Sequence, residues 1–323
     1  MIRIEVLTGN TSHQGTIPLQ EISDVIADPE NLIWIDLEDP TPHDFQLIAE
    51  EFAFHPLAIE DASKRHQRPK LDQYDTFLFI VFYAVEPDGD DGAFSTQEIS
   101  LFVGPNYLVT VHTGVCREIS ATAARWKENV LQIKSRRVAV LLYSLLDTIV
   151  DNYFPVLDIV AERADAVEEA IFDRGDTQTL EEIFQLRKSL LALRRVLAPE
   201  RDLMSMLTRR DIELLGPDTA IYFQDVYDHV LRVTDAIDTY RDLLGGALDA
   251  HLSVISNNLN QIMRTLTSWS IILMTLALIA GVYGMNFVNM PELHWHYGYF
   301  VTIAGMAVIA LGLFALFKRI NWL

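Results

Sequence analysis

Four aspartates recur at seven-residue spacing, Asp228, Asp235, Asp242 and Asp249, and the same register continues through Ser256, Met263, Ser270 and Ala277 to Gly284. A second series at that spacing runs Ser253, Asn260, Thr267, Met274 and Gly281. Carboxylate, amide and hydroxyl oxygens are the ligands that hard divalent cations take. Gly284 opens Gly284-Met285-Asn286, which follows Tyr283 where a charge-free apolar stretch gives way to a short loop. Polar oxygens there stand where an ion path through a membrane has its mouth. Four like charges on one stripe repel when parallel copies approach, so the acidic series is either a solvated face or a boundary that a divalent cation relieves. No His-x-x-x-His pair and no second thiol accompany them, which speaks against a tetrahedral zinc site. His294 and His296 flank Trp295 and read as loop or interface residues rather than ligands.

The elements that must position these groups begin with two apolar runs. No Asp, Glu, Lys or Arg occurs from Thr265 to Pro291, nor from Leu293 to Phe317. Each run exceeds the ~20 residues that span a bilayer core, which predicts two membrane helices. Arg264 precedes the first and Lys318-Arg319 follow the second, while the connecting loop carries neither Lys nor Arg. The positive-inside bias therefore puts both termini in the cytoplasm, and Trp295, Tyr297, Tyr299 and Trp322 serve as interfacial anchors. The N-terminus alternates like a strand and lacks a signal peptide's basic and apolar regions.

The remaining 260 or so residues read as a soluble, acidic body. In the whole chain of 323 residues, 25 Lys and Arg face 45 Asp and Glu, a formal net charge of -20 that disfavours nucleic acid as a partner. The single cysteine, Cys116, excludes an intramolecular disulfide and fits a reducing cytosol. No nucleophile–base pair, phosphate loop or closed metal motif appears, so an enzyme is not expected.

Up to about residue 115, β-rich runs at Leu32–Leu37, Phe77–Tyr83 and Tyr107–Val111 alternate with helical stretches such as Pro42–Phe52, the pattern of an α/β sheet domain. Asp88-Gly89-Asp90-Asp91-Gly92 reads as a solvated hairpin turn rather than a calcium loop, because further ligands are missing. From Glu118 onward the chain is helical, with stretches at Glu118–Lys134, Arg137–Phe172 and Thr179–Leu207 and breaks near Gly175-Asp176 and at Pro199. A last helix begins after Gly216-Pro217-Asp218, with Asp218 as N-cap, and meets no proline before Pro291. From Thr219 to Gly284 it would be about 100 Å long. Gly245-Gly246 is its weak point, a close helix contact or a hinge.

Within the membrane part of that helix, every seam position from Asn260 to Gly284 is small, polar or a thioether. A lipid-facing helix would carry leucine there, and a tight dimer needs no Asn260 or Thr267. Several copies around an axis would form a narrow tube with a polar entrance at Asn260 and constrictions at Met263 and Met274; ordinary small-residue packing is the competing explanation.

Tyr283-Gly284-Met285-Asn286-Phe287, Met290-Pro291-Glu292-Leu293 and the terminal Lys318-Arg319-Ile320-Asn321-Trp322-Leu323 resemble the CorA family of magnesium and cobalt channels. His66-Gln67-Arg68-Pro69-Lys70, the segment Leu146–Phe154 and the segment Tyr222–His229 are also similar to family segments, so the likeness covers essentially the whole chain. Met-Pro-Glu-Leu favours the magnesium branch over the ZntB-like branch. The resemblance implies an α+β membrane protein: a cytoplasmic α/β domain at 1–115, a helical region at 116–217 and a stalk helix at 218–264. It then implies transmembrane helices at 265–285 and 299–318 around an outer loop at 286–298, with a cytoplasmic tail at 319–323, assembled as a homopentameric funnel in the inner or plasma membrane.

It further implies a filter of Gly284, Met285 and Asn286, inner pore and gate residues Asn260, Met263, Leu266 and Met274, and an outer ring of Glu292 that concentrates cations. Mg2+ yields its water reluctantly, and neutral amide oxygens can hold its hydrated form. Regulatory Mg2+ would sit between Asp88 and Asp249, with Asp147 and Asp225 as a second pair. Where relatives carry a pore-lining threonine this chain has Ala277, which removes one polar ring. The expected function is Mg2+ influx, with Co2+ and Ni2+ as further cargo. A ZntB-like transporter of Zn2+ and a membrane-tethered regulatory body without transport are the alternatives.

Overall fold

The computed structural model describes residues 2–8, 11–14, 22, 26–29, 31–88, 94–129, 138–173, 177–209, 212–285, 290 and 295–323. The chain divides into two compact units, one of Met1–Glu169 with Thr177–Ala247 and one of Ala170–Asp176 with Leu248–Leu323.

The first unit is built on a seven-stranded sheet: β1 (Ile2–Thr8), β2 (Thr11–Gln14), β3 (Asn31–Glu38), β4 (Lys70–Gln73), β5 (Leu78–Pro87), β6 (Phe94–Val103) and β7 (Tyr107–His112). Their order is β2-β1-β3-β7-β6-β5-β4. Only β3 and β7 pair in parallel, from Ile33 opposite Tyr107 to Glu38 opposite His112; the other neighbours are antiparallel. Both of these central strands are near-continuous apolar runs buried along almost their whole length, as strands covered on two faces must be.

Helices α1 (Pro42–Phe52) and α2 (Pro56–Lys64) cover one face. A capping box starts α1: Thr41 Oγ1 accepts from the Asp44 N–H at 3.3 Å, and Asp44 Oδ2 accepts from the Thr41 N–H at 2.7 Å. Proline at the first helical position of both helices adds a pre-set φ. Phe45, Ile48, Phe52, Ala58 and Ala62 then pack with Ile33, Ile35, Leu37, Phe79, Val81 and Val109, the alternate residues that share that sheet face.

Helices α3 (Arg117–Asn129), α4 (Val138–Asp151), α5 (Tyr153–Asp173) and α6 (Thr177–Leu207) follow, and α4 packs on β5 and β7. Two sequence expectations are corrected here. The stretch Arg137–Phe172 is two helices, broken at Asn152, whose Nδ2 donates to Glu118 Oε1 at 2.8 Å. Glu118 is buried, so the break gives a buried carboxylate its donor. Conversely, α6 runs straight through Pro199. Proline there removes one ladder bond, and the next residue, Glu200, ties the helix to the sheet across the core: its Oε1 accepts from the Tyr83 N–H of β5 at 2.9 Å.

Asp218 falls inside a 3-10 turn, Pro217–Thr219, that leads into α7 (Ala220–Tyr283). This 64-residue helix is continuous through both units, and the division between them falls just after Gly245-Gly246. Among the described residues, a Cβ on either glycine would meet nothing within 4 Å, so no close contact with them explains the pair.

In the second unit, α8 (Gly298–Arg319) lies against the last third of α7. Trp269 and Phe314 meet at 6.2 Å between ring centroids, and Thr265 Oγ1 donates to the Trp322 carbonyl at 3.1 Å. Phe317 stacks on Trp322. By length and composition, three helical stretches among the described residues could cross a membrane: Val138–Ile171, Pro217–Tyr283 and Gly298–Arg319. More than half of the apolar window in the first is buried inside the protein, whereas the windows in the other two are almost wholly exposed.

Candidate ion path and cation sites

The seam of α7 and the strip that meets α8 lie on different faces. Thr265, Ser268, Trp269 and Ile272 form the strip; Ser268 and Ile272 are buried, and Thr265 and Trp269 make the contacts just described. At 3.6 residues per turn, Met263, Thr267, Ser270, Met274 and Gly281 point about 180° away from that strip. The seam is thus the face that α8 leaves open, and Met263 and Met274 are 59% and 71% exposed in the single chain. Its hydroxyls do not seek partners outward. Thr267 Oγ1 donates to the Met263 carbonyl at 2.7 Å and Ser270 Oγ to the Leu266 carbonyl at 2.8 Å, so both are satisfied along their own helix, as an apolar surrounding requires. Asn260, Leu266 and Ala277 are likewise exposed. Leu266 sits to one side of the seam rather than on its centre, by the same helical arithmetic.

The helix ends at the Gly-Met pair. The Gly284 N–H donates to the Ala280 carbonyl at 2.9 Å and the Met285 N–H to the Val282 carbonyl at 3.2 Å. A Cβ on Gly284 would stand 3.1 Å from the Ala280 oxygen, tight enough that any side chain would push on the last helical turn. Gly284 and Met285 are both exposed; Asn286 and Glu292 lie outside the described residues.

Among the cytoplasmic candidates, Asp88 is exposed directly after β5 in the first unit, and Asp249 is exposed on α7 in the second. Asp147 and Asp225 come together within one chain. Burial pushes the Asp147 carboxyl above its usual range, the charges of Asp151 and Asp225 add to this, and His229 and Arg125 oppose it. Such a knot of like charge is what a divalent cation on oxygen ligands neutralises, so these residues fit the ion the resemblance implies. Tyr143 and Tyr222 meet beside it, tilted at 43°, with 5.1 Å between ring centroids.

Two of its members were missed in the sequence. Asp151 follows Asp147 by one turn of α4, and His229 follows Asp225 by one turn of α7. One ligand atom each from Asp147, Asp151 and His229 lie within 4.8 Å of one another. Matching i,i+4 pairs of metal-binding side chains on two helices were the available signal.

The fold is that of a magnesium transporter already known in three dimensions. The complete structure of the CorA magnesium transporter from Methanocaldococcus jannaschii superposes with a TM-score of 0.86 at 23% identity, covering 100% of this chain and 99% of that one. The CorA-like Mg2+ transporter protein family matches residues 29–319, and the chain belongs to it. The cobalt/magnesium transport protein CorA of Thermotoga maritima is 37% identical over 278 residues, 86% of this chain and 79% of its own. That of Methanocaldococcus jannaschii is 25% identical over 310 residues, 96% and 97% of the two chains.

Proposed function

We propose that this protein is a divalent cation channel that admits Mg2+, with Co2+ and Ni2+ as further cargo, down the electrochemical gradient. The observation that carries the reading is the seam of α7: small, thioether and self-satisfied hydroxyl residues on the face turned away from α8. A face of that kind is suited to line a shared axis, and five copies would close it into a tube. Both termini lie in the cytoplasm, the spans are 265–285 and 299–318, and the outer mouth carries Asn286 behind a ring of Glu292. Asn260, Met263, Leu266 and Met274 form the inner pore and gate. Ala277 contributes no oxygen, so Asn286 does most of the work of holding a hydrated ion.

Closure is feedback from cytoplasmic Mg2+. The ion bridges Asp88 and Asp249 of adjacent subunits and occupies the Asp147–Asp225 cluster, which stabilises the symmetric closed state over the open one. Depletion restores repulsion among the carboxylates.

Flux into liposomes with competing Mg2+, Co2+, Ni2+ and Zn2+ tests the reading. Mg2+ uptake driven by membrane potential, lost in Asn286→Ala, is the expected result. Uptake of Zn2+ that follows an imposed pH gradient would replace it with a ZntB-like transporter, and flux indifferent to Asn286→Ala would overturn the filter.

A further inference from the structure

The hairpin of α5 and α6 carries two unlike stripes on its outer surface. Asp158, Glu162, Asp165 and Glu169 are exposed on α5, and Phe184, Lys188, Leu191 and Arg195 are exposed on α6. Both follow the same i, i+4, i+7, i+11 spacing, so each is a straight row about 16 Å long. Each lies on the far side of its helix from the buried row, Val160, Ala164 and Val167 on α5 and Leu186, Leu190 and Leu193 on α6. We propose that these stripes are the two halves of one interface between copies of this chain, the acidic row of α5 in one copy against the basic and apolar row of α6 in the next.

Charge names the occupant. Among the described residues, none of the six charged side chains in the two rows makes an ion pair or a hydrogen bond, whereas Arg194, beside the α6 row, is taken by Asp238 of α7 at 3.1 Å. Phe184 and Leu191, 55% and 49% exposed, alternate with the two cations and supply apolar area. In a chain of net charge -20 a row with cations and no carboxylate is a local exception, and the acidic row of matching spacing stands on the same hairpin.

Heights match as well. Arg163 and Val167 of α5 line one cavity with Glu181, Gln185 and Leu186 of α6, so residue 163 is level with 185 and residue 167 with 181. Counting on from there, Lys188 is level with the turn between Asp158 and Glu162. Rotation about an axis along the hairpin keeps those heights, so Lys188 enters the neighbour's acidic row between two carboxylates. Head-to-tail contact of unlike faces is the kind that closes into a ring.

The inference rests on the reading that several copies share an axis, and adds the surfaces by which neighbours meet. The test uses the full-length protein in detergent. Cys116 is its only thiol and is buried, so introduced cysteines report alone. Glu162→Cys combined with Lys188→Cys should give a ladder of disulfide-linked multimers on a denaturing gel, a bond that needs Cα atoms within about 7 Å, while either substitution by itself gives none. Lys188→Glu with Arg195→Glu should raise the protein concentration at which the assembly dissociates by about tenfold or more, and so should Asp158→Lys with Glu162→Lys; all four together should recover it to within about threefold. An oligomer by light scattering that forms no ladder overturns the interface alone, whereas a monomer overturns the shared axis with it. Silence of the α5 reversal and no rescue would assign the α6 row to an anionic bilayer instead and overturn the pairing.

Discussion

The hydroxyl of Tyr153 has one proton and two acceptors within reach, the Tyr83 carbonyl and Glu200 Oε2 at 3.0 Å. The carbonyl can only accept, so the arrangement closes best if Glu200 is protonated and donates to the tyrosine oxygen while its other oxygen accepts from the Tyr83 N–H. Complete burial pushes the Glu200 carboxyl up to about 8, against the Tyr83 N–H that lowers it, in keeping with a neutral acid. Its folded value lies above the ordinary 4.5, so its contribution to stability is fully present below that value and is lost as pH rises through about 8. Glu200→Gln keeps the same donors and acceptors without a titration. Thermal denaturation from pH 6 to 9 should show a flatter profile than wild type, with the variant gaining most above pH 8; identical slopes would refute the neutral acid. None of this was legible in the sequence, where Pro199 reads as a break in the helix and nothing sets Glu200 apart from the other acidic residues. The physical reason is that both were decided by Tyr83 and Tyr153, more than forty residues distant. Asp151 and His229 escaped notice for the same cause, since their meeting depends on how two helices pack.

At the scale of elements, local signals were readable wherever local chemistry decided. The helical stretch Pro42–Phe52, the apolar runs of β3, β5 and β7, and the proline-free path of α7 all stood in the chain before any packing was known. The break at Asn152 did not, because its cause is Glu118 on another helix. Gly245-Gly246 sits between these cases: the pair was visible, and the structure adds that nothing crowds it and that the unit boundary follows at once. A hinge in the long helix and a close contact with another copy are the two readings that a substitution separates. Replacing both glycines with alanine should stabilise the protein by about 1–2 kcal/mol, measured by denaturant unfolding, and should shift the Mg2+ concentration that half-closes the pore. A stabler protein with the same Mg2+ response would leave the pair without a role in gating.

For the whole molecule, the net charge of -20 makes assembly and ionic conditions inseparable. Asp249, exposed on α7 in the second unit, belongs in the proposed closed state to a boundary between copies. Asp249→Ala should therefore raise the Mg2+ concentration needed to inhibit flux by roughly fivefold or more, the scale of an ordinary allosteric coupling. Unchanged inhibition in proteoliposomes would move the sensor elsewhere. The sheet carries a further consequence, one of timing. The only parallel pair among its described strands joins β3 to β7 across some 75 residues, so the central strands cannot meet until the chain has been made as far as His112. Every strand of the described sheet has then been synthesised, while α3 to α6 and both apolar windows at the C-terminal end have still to be made. The sheet and the helices through α6 that pack on it can come together before any segment asks for a bilayer, and a truncated product that ends beyond α6 should fold rather than aggregate, whereas one that ends before α4 should not.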